Sequence, residues 1–349
     1  MFLAARALEN KTEAMSQHTP SPGREPGATQ FPMGGHISRM WSHRLALLLS
    51  AATVVLLAAG ALVTSTGSSL AVPDWPLAYG QLFPPMVGGI LYEHGHRLIA
   101  ATVGLLAILT AGWLWRCEPR AWVRWLGLAV VLAVVFQGLL GGLTVLLLLP
   151  KAISIGHALM AQLFFLLTVA LAQVTAPGWE GLVEQGRRPA PSRVFPWSAA
   201  LFAALLVELA LGAVMRHYDA GLAIPDFPLV FGGIVPPVFS FPVAVHFLHR
   251  AGAVAVVILA AGTCWGLLRR HAGNPALLRP GLLMAALTVF QISLGGGIIL
   301  TQRDPAWTVL HLVNGALLIA TAGVLALRGR MLTRLPAAGA MAGTLEHRA

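Results

Sequence analysis

Four of the twelve histidines in this 349-residue sequence stand in two matching pairs. His96 and His249 are each followed by arginine, in Glu93-His94-Gly95-His96-Arg97 and His246-Phe247-Leu248-His249-Arg250. His157 and His311 come later, after Phe136-Gln137 with Gly141-Gly142 and after Phe290-Gln291 with Gly295-Gly296. Neutral imidazole nitrogens are good iron ligands, and two facing histidines can hold a planar metal macrocycle between helices. A single histidine reads more readily as a hydrogen-bond partner of a neighbouring helix or a member of a proton relay. Two pairs repeated in register favour bis-histidine heme.

The two sets differ at one informative place. Glu93 lies three residues before His96, and the equivalent residue before His249 is His246. A spacing of three puts Glu93 and His96 on one helical face, so the carboxylate can look at a macrocycle held by His96. A carboxylate near a helix N-terminus can also be a solvated cap, but its presence in only one copy favours chemistry there and electron movement in the other. Arg97 and Arg250 could reach either lipid phosphate or a heme propionate. Gln137 and Gln291 read as interhelical partners or pocket groups, His246 as a propionate or pocket partner, and His94 as structural or interfacial. Glycines 138, 141, 142, 295, 296 and 297 read first as close-packing contacts and second as room for a porphyrin edge. Glu208 is a carboxylate about 12 Å inside an apolar run by helical rise, with apolar Leu56 as its repeat partner; the sequence assigns it no role.

These residues sit in a chain that is 57% hydrophobic and 10% charged, against roughly a quarter charged in a soluble domain. That excludes soluble, collagen-like, disordered and disulfide-rich classes and leaves a polytopic membrane protein. Cys117 and Cys264 are too few for a disulfide framework or a cysteine metal site. Apolar runs of membrane-crossing length fall at about 45–66, 93–115, 122–149, 152–175, 195–216, 243–268, 280–300 and 305–328. The expected fold is all-α, with eight transmembrane helices as two parallel-repeat four-helix bundles. Loops 67–92 and 217–242 are rich in Pro and Gly and read as non-helical. The formal charge of +10 lies mainly in short loops and tails, with 18 of the 23 basic residues on one side. It sets orientation in a lipid bilayer, with both termini cytoplasmic, and does not point to nucleic acid. The first 44 residues lack the apolar core of a signal peptide, and their acids argue against a transit peptide.

The outer loops repeat each other. Leu70-Ala71-Val72-Pro73-Asp74-Trp75-Pro76-Leu77 matches Leu222-Ala223-Ile224-Pro225-Asp226-Phe227-Pro228-Leu229 at an offset of 152, which drifts only to 154 at His157 and His311. Four spans per repeat is an even number, so both halves share one orientation. The expected organisation is a polar cytoplasmic tail (1–44), an N-terminal half (45–176), a basic linker (177–194), a C-terminal half (195–328) and a basic tail (329–349).

With E-x-x-H-R at 93–97, H-x-x-H-R at 246–250, the paired P-D-[WF]-P-L loops and the later His157 and His311, the chain resembles the heme A synthase family over about residues 45–328. The resemblance implies oxidation of the C8 methyl of heme O to a formyl group, giving heme A for terminal cytochrome oxidases. It implies that His96 and His157 ligate the substrate heme, that Glu93 serves the oxidation, and that His249 and His311 ligate heme b. Implied partners are heme O, the heme O synthase and the cytochrome oxidase assembly machinery, in a bacterial plasma membrane or a mitochondrial inner membrane; a homo-oligomer stays open. Some members carry a cysteine pair in the first outer loop, and Val72–Ala78 contains none, so no thiol relay operates there. Two histidines leave an iron without an open position, which, unless one of them dissociates, favours oxidation by electron removal with Glu93 taking a proton or placing water. The rivals are a diheme b-type electron carrier, which needs no acid in one half only, and a transporter, which needs broken helices or midplane charge pairs.

Overall fold

In a bilayer each backbone N–H and C=O must be satisfied within its own segment, so apolar runs of this length become helices. The computed structural model describes residues 33–334. Its helices are α1 (Met33–Ser65), α2 (Gly88–Cys117), α3 (Ala121–Leu146), α4 (Lys151–Thr175), α5 (Trp179–Gly186), α6 (Val194–His217), α7 (Phe241–Arg270), α8 (Pro275–Leu300) and α9 (Pro305–Leu332). All but α5 are long and apolar enough to cross a membrane. Their 24 to 33 residues give lengths of about 36–50 Å, more than the hydrocarbon core of about 30 Å. Hydroxyls inside the spans bond back to carbonyls of their own helix: Thr53, Thr110, Thr263 and Thr288 do so at 2.7–2.8 Å. The strands among the described residues are one two-residue parallel pair, β1 (Ala190–Pro191) with β2 (Thr333–Arg334).

Several boundaries differ from expectation, each for a visible reason. α1 begins at Met33, twelve residues before the expected span, because its polar turns find partners: Arg39 pairs with Glu180 at 2.8 Å and His43 Nδ1 lies 3.1 Å from Ala172 O. Residues 33–44 of the expected polar tail thus continue the first helix; the rest of that tail, 1–32, and residues 335–349 of the basic tail lie outside the described residues. The linker carries α5, and the second outer loop a single 3-10 turn at Ala220–Leu222. α3 stops at Leu146, short of the expected 149, where Leu148 and Leu149 turn to positive φ. α8 starts at Pro275, capped by Asn274, and keeps Pro280 inside it. Pro280 lacks the N–H that would reach Ala276 O, and Arg328 Nη1 donates to that carbonyl at 3.0 Å instead.

Two buried clusters hold the helices. Leu49 and Leu56 of α1, Val103 and Leu114 of α2, Val130 of α3 and Phe164 and Leu171 of α4 form one. Leu201 of α6, Val256 and Leu267 of α7, Met284 of α8 and Leu318 and Leu325 of α9 form the other. A smaller cluster joins them through Leu57, Phe165, Ala316 and Ala320. Arg216 of α6 adds a polar tie by donating to Ser65 Oγ of α1 at 3.0 Å. Outward side chains such as Leu105, Leu132, Ile258 and Val289 are exposed, as lipid-facing residues should be. Trp115, Trp125 and Trp265 are exposed at helix ends beside arginines, the places where tryptophan marks the headgroup boundary.

Candidate functional site

The site begins with the two outer loops. Asp74 accepts from the Tyr79 and Gly80 N–H groups at 2.7 and 2.8 Å, and Asp226 does the same with Phe231 and Gly232 at 2.8 and 2.7 Å. Tyr79 and Phe231 adopt φ of 52° and 53°, each followed by a glycine with positive φ, so the aspartate braces a turn that side chains rarely adopt. For Asp74 the Gly80 and Tyr79 N–H groups hold the carboxyl below its usual range; for Asp226 the Gly232 and Phe231 N–H groups do so.

Each loop is latched to the helix that follows it. Val72 N–H donates to Glu93 Oε2 at 2.8 Å, and Arg97 Nη2 donates to Glu93 Oε1 at 2.6 Å. Arg97 also donates to Val72 O, Asp74 O and Leu77 O at 2.7–3.0 Å. In the other copy Ile224 N–H points at His246 Nδ1 (3.2 Å) and Arg250 Nε at His246 Nε2 (3.1 Å), with Arg250 donating to Leu229 O and Ile224 O. A neutral imidazole accepts at one nitrogen only, so His246 holds one of its two N–H groups at a time while Glu93 holds both. The arginines thus serve loop carbonyls, and Glu93 occupies the latch. His94 holds the same loop further out, its Nε2 2.8 Å from Leu82 O.

The four histidines lie in matching surroundings, each against a glycine of the preceding span. A Cβ on Gly60 would stand 3.0 Å from the His96 ring, on Gly141 3.1 Å from His157, on Gly212 3.5 Å from His249, and on Gly295 3.3 Å from His311. The Nδ1 atom of all four is buried without a hydrogen bond. A buried polar atom left unpaired costs roughly 1–3 kcal/mol, so four such imidazoles at repeated positions are more than packing requires. That donor set and the glycine-lined flanks fit heme.

Gln137 and Gln291 reach across from α3 to α4 and from α8 to α9. Their amides donate to His157 O at 3.0 Å and His311 O at 3.1 Å, with His157 Nε2 and His311 Nε2 at 3.4 and 3.1 Å. The second glycine of each pair receives the loop aromatic: a Cβ on Gly142 or Gly296 would come within 2.7 Å of Trp75 or Phe227. Gly297 is equally crowded, by Trp307, but Gly138 has open space and is no packing contact. Gly142→Ala should therefore lower the melting temperature in detergent. An overpacking cost of about 1–3 kcal/mol outweighs the gain in helix propensity of at most about 1 kcal/mol. Gly138→Ala, with only the gain, should be neutral or stabilising; equal behaviour of the two would disprove this account of the loop contact. A cavity of about 600 Å³ bounded by Trp197, Trp265 and Arg269 lies about 24 Å along α7 from His249 by helical rise and holds none of these residues.

Comparison with known proteins bears on the identity of this arrangement. Residues 88–322 match the family model described as cytochrome oxidase assembly protein (COX15-CtaA). A heme A synthase of Halalkalibacterium halodurans is 30% identical over 286 residues, covering 78% of this chain and 92% of the relative. One from Symbiobacterium thermophilum is 33% identical over 76% of this chain and 89% of its own, and one from Methylorubrum populi 29% identical over 91% and 92%. The chain belongs to the heme A synthase family.

Two residues of this heme A synthase family member have partners that its sequence did not announce. Glu208 of α6 brings Oε2 to 2.7 Å from His249 Nδ1, within ion-pair distance but off the line of a hydrogen bond. Asn314 donates to Gln291 Oε1 at 2.7 Å and to Leu287 O at 3.0 Å, while Gln137 Oε1 in the other half is buried without a partner. Asn314 was legible only as a departure from the repeat, since the equivalent residue is Met160.

Proposed function

We propose that this chain oxidises the C8 methyl of heme O to a formyl group, supplying heme A to terminal cytochrome oxidases. The observation that carries the reading is the pair of equivalent histidine sites, of which one alone has a carboxylate in its latch, Glu93 against His246. In this reading His96 and His157 bind heme O in the half spanning 45–176, and His249 and His311 bind heme b in the half spanning 195–328. Bound there, heme b supplies one-electron redox capacity.

The protein's own residues then divide the work. The four His rings, each lying against a glycine of the preceding span, would hold the hemes. Each Glu93 oxygen keeps a lone pair beyond the N–H it accepts, so the carboxylate can take a proton or orient water while still holding the loop. Trp75 and Phe227 seat the loops on the second glycine of each pair. Arg97 and Arg250 can meet a propionate only with donors that the loop carbonyls leave over. Glutamines 137 and 291 fix the backbone that carries His157 and His311.

The two halves are read as parallel repeats with both termini cytoplasmic, in a plasma membrane like that of the bacterial relatives. The arginine-rich loops support this orientation; reporter fusions after 151 and 303 reading outside, and after 188 and 272 inside, check it. A partnership with heme O synthase follows from the substrate. The purified protein, analysed by pyridine hemochrome and heme chromatography, should carry heme b together with heme O or heme A. Heme b alone would favour the diheme electron carrier, and no heme at all would overturn the proposal.

A further inference from the structure

Among the described residues, Glu208 is the one carboxylate beside a candidate ligand histidine that the reaction above does not use. It sits in α6, largely buried, with Oε2 2.7 Å from His249 Nδ1. Gly252 of α7 makes the room: a Cβ there would overlap Glu208 Oε1. The repeat shows that this contact is not required by the fold. Leu56 occupies the equivalent position beside His96 and packs in the apolar cluster of the other half. The difference recurs at the second histidine of each pair. Gln291, which holds His311, is itself held by Asn314, whereas Gln137 faces no such partner and Met160 stands at the equivalent place.

We infer that Glu208 is a positioning residue for His249 that makes the C-terminal half a permanent heme site, while the N-terminal half, lacking it, can exchange its heme. This rests on the reading that His249 and His311 hold heme b. A metal-ligating histidine is ordinarily oriented by a carboxylate or carbonyl on its other nitrogen, which fixes the tautomer and raises ligand basicity. A carboxylate beside Nδ1 leaves Nε2 free to take the metal, and turning the ring so that the N–H meets Oε2 would complete the bond. A more basic ligand stabilises the oxidised iron. The C-terminal site should therefore hold its heme more tightly and at a lower potential than the same site without Glu208. A half that must accept heme O and release heme A gains nothing from such retention, which accounts for Leu56 and Met160 in the substrate half.

The test compares wild-type protein with Glu208→Gln and Glu208→Leu, the second copying the repeat partner. Three readouts apply: heme b midpoint potential, the low-spin EPR signature, and the rate of heme transfer to excess apomyoglobin. Both variants should raise the potential and alter the low-spin signal. Glu208→Leu should lose heme b about ten to a hundred times faster, the usual scale for removing such a partner, and Glu208→Gln should lie between. Glu208→Leu that arrives without heme but with unchanged helical circular dichroism, beside a heme-retaining Glu208→Gln, also supports the inference. If Glu208→Leu fails to fold, Glu208→Gln, which keeps size and hydrogen bonding, decides alone. Loaded variants with wild-type potential, signal and transfer rate would overturn the role of Glu208 and leave the heme b assignment standing. Wild-type protein without heme b would instead overturn the assignment, and the inference with it.

Discussion

Glu93→His should yield a folded protein that retains heme b and converts heme O at least about a hundredfold more slowly, the usual scale for losing a positioned acid or base. The substitution is chosen because the structure already contains its outcome. His246 occupies the same latch in the second loop, facing Ile224 N–H and Arg250, and that loop folds as its sister does. Histidine at 93 should therefore keep the first loop seated on one acceptor while removing the carboxylate. Glu93→Gln is the companion: its carbonyl keeps one N–H partner, and its NH₂ opposes the other donor. If the carboxylate serves the oxidation, both variants lose conversion together, and heme O or a hydroxymethyl intermediate builds up in the membrane. Were Glu93 only a latch, loss of conversion would track loosening of the loop, read as protease sensitivity near Trp75. A Glu93→His enzyme making heme A at the normal rate would remove the carboxylate from the chemistry. His246→Glu should not create activity in the second half, which on the proposed assignment holds heme b and not heme O.

The same comparison shows how much of the molecule was legible in its sequence. The eight spans were, because an apolar run long enough to cross a bilayer has no other stable conformation there. The repeat was, because its offset stays between 152 and 154 from the loops to His311. What escaped depends on partners distant in sequence. α1 runs back past residue 44, where Glu180 and Ala172 O meet Arg39 and His43. Pro280 reads as a helix start until Arg328 is seen serving the carbonyl it orphans.

The candidate site divides in the same way. Residue type and register marked the histidines, Glu93 and the glutamines. Neither could show that Arg97 is committed to loop carbonyls 20 to 25 residues upstream, or that Glu208 meets His249. Glu93 faces its own loop rather than open space for a physical reason. A buried carboxylate beside a loop with unpaired N–H groups gains charge-assisted hydrogen bonds by turning to them. Helical spacing placed it on the right face, and the loop then decided where on that face its oxygens lie.

His249→Ala and His311→Ala should each abolish the bis-histidine low-spin spectrum of heme b, the largest spectroscopic effect expected of any single change in this protein. Deleting an imidazole removes one axial ligand outright, so the signal converts to high spin or disappears with the heme. The bundle should survive, because the cluster formed by Leu201, Leu267, Met284 and Leu325 contains neither histidine. Leu267→Ala, at a side chain with no exposure, provides the contrast. It should cost about 2–5 kcal/mol and lower the melting temperature while leaving the spectrum of the folded fraction unchanged. His96→Ala and His157→Ala should spare heme b and abolish binding of heme O. Crossing the two sets of variants therefore separates the halves: each should lose one heme and keep the other. A His249→Ala/His311→Ala protein that keeps its full bis-histidine spectrum would place heme b on other ligands. The repeat of glycine-flanked histidines would then be a packing device, His249 and His311 being half-buried rings set against Gly212 and Gly295.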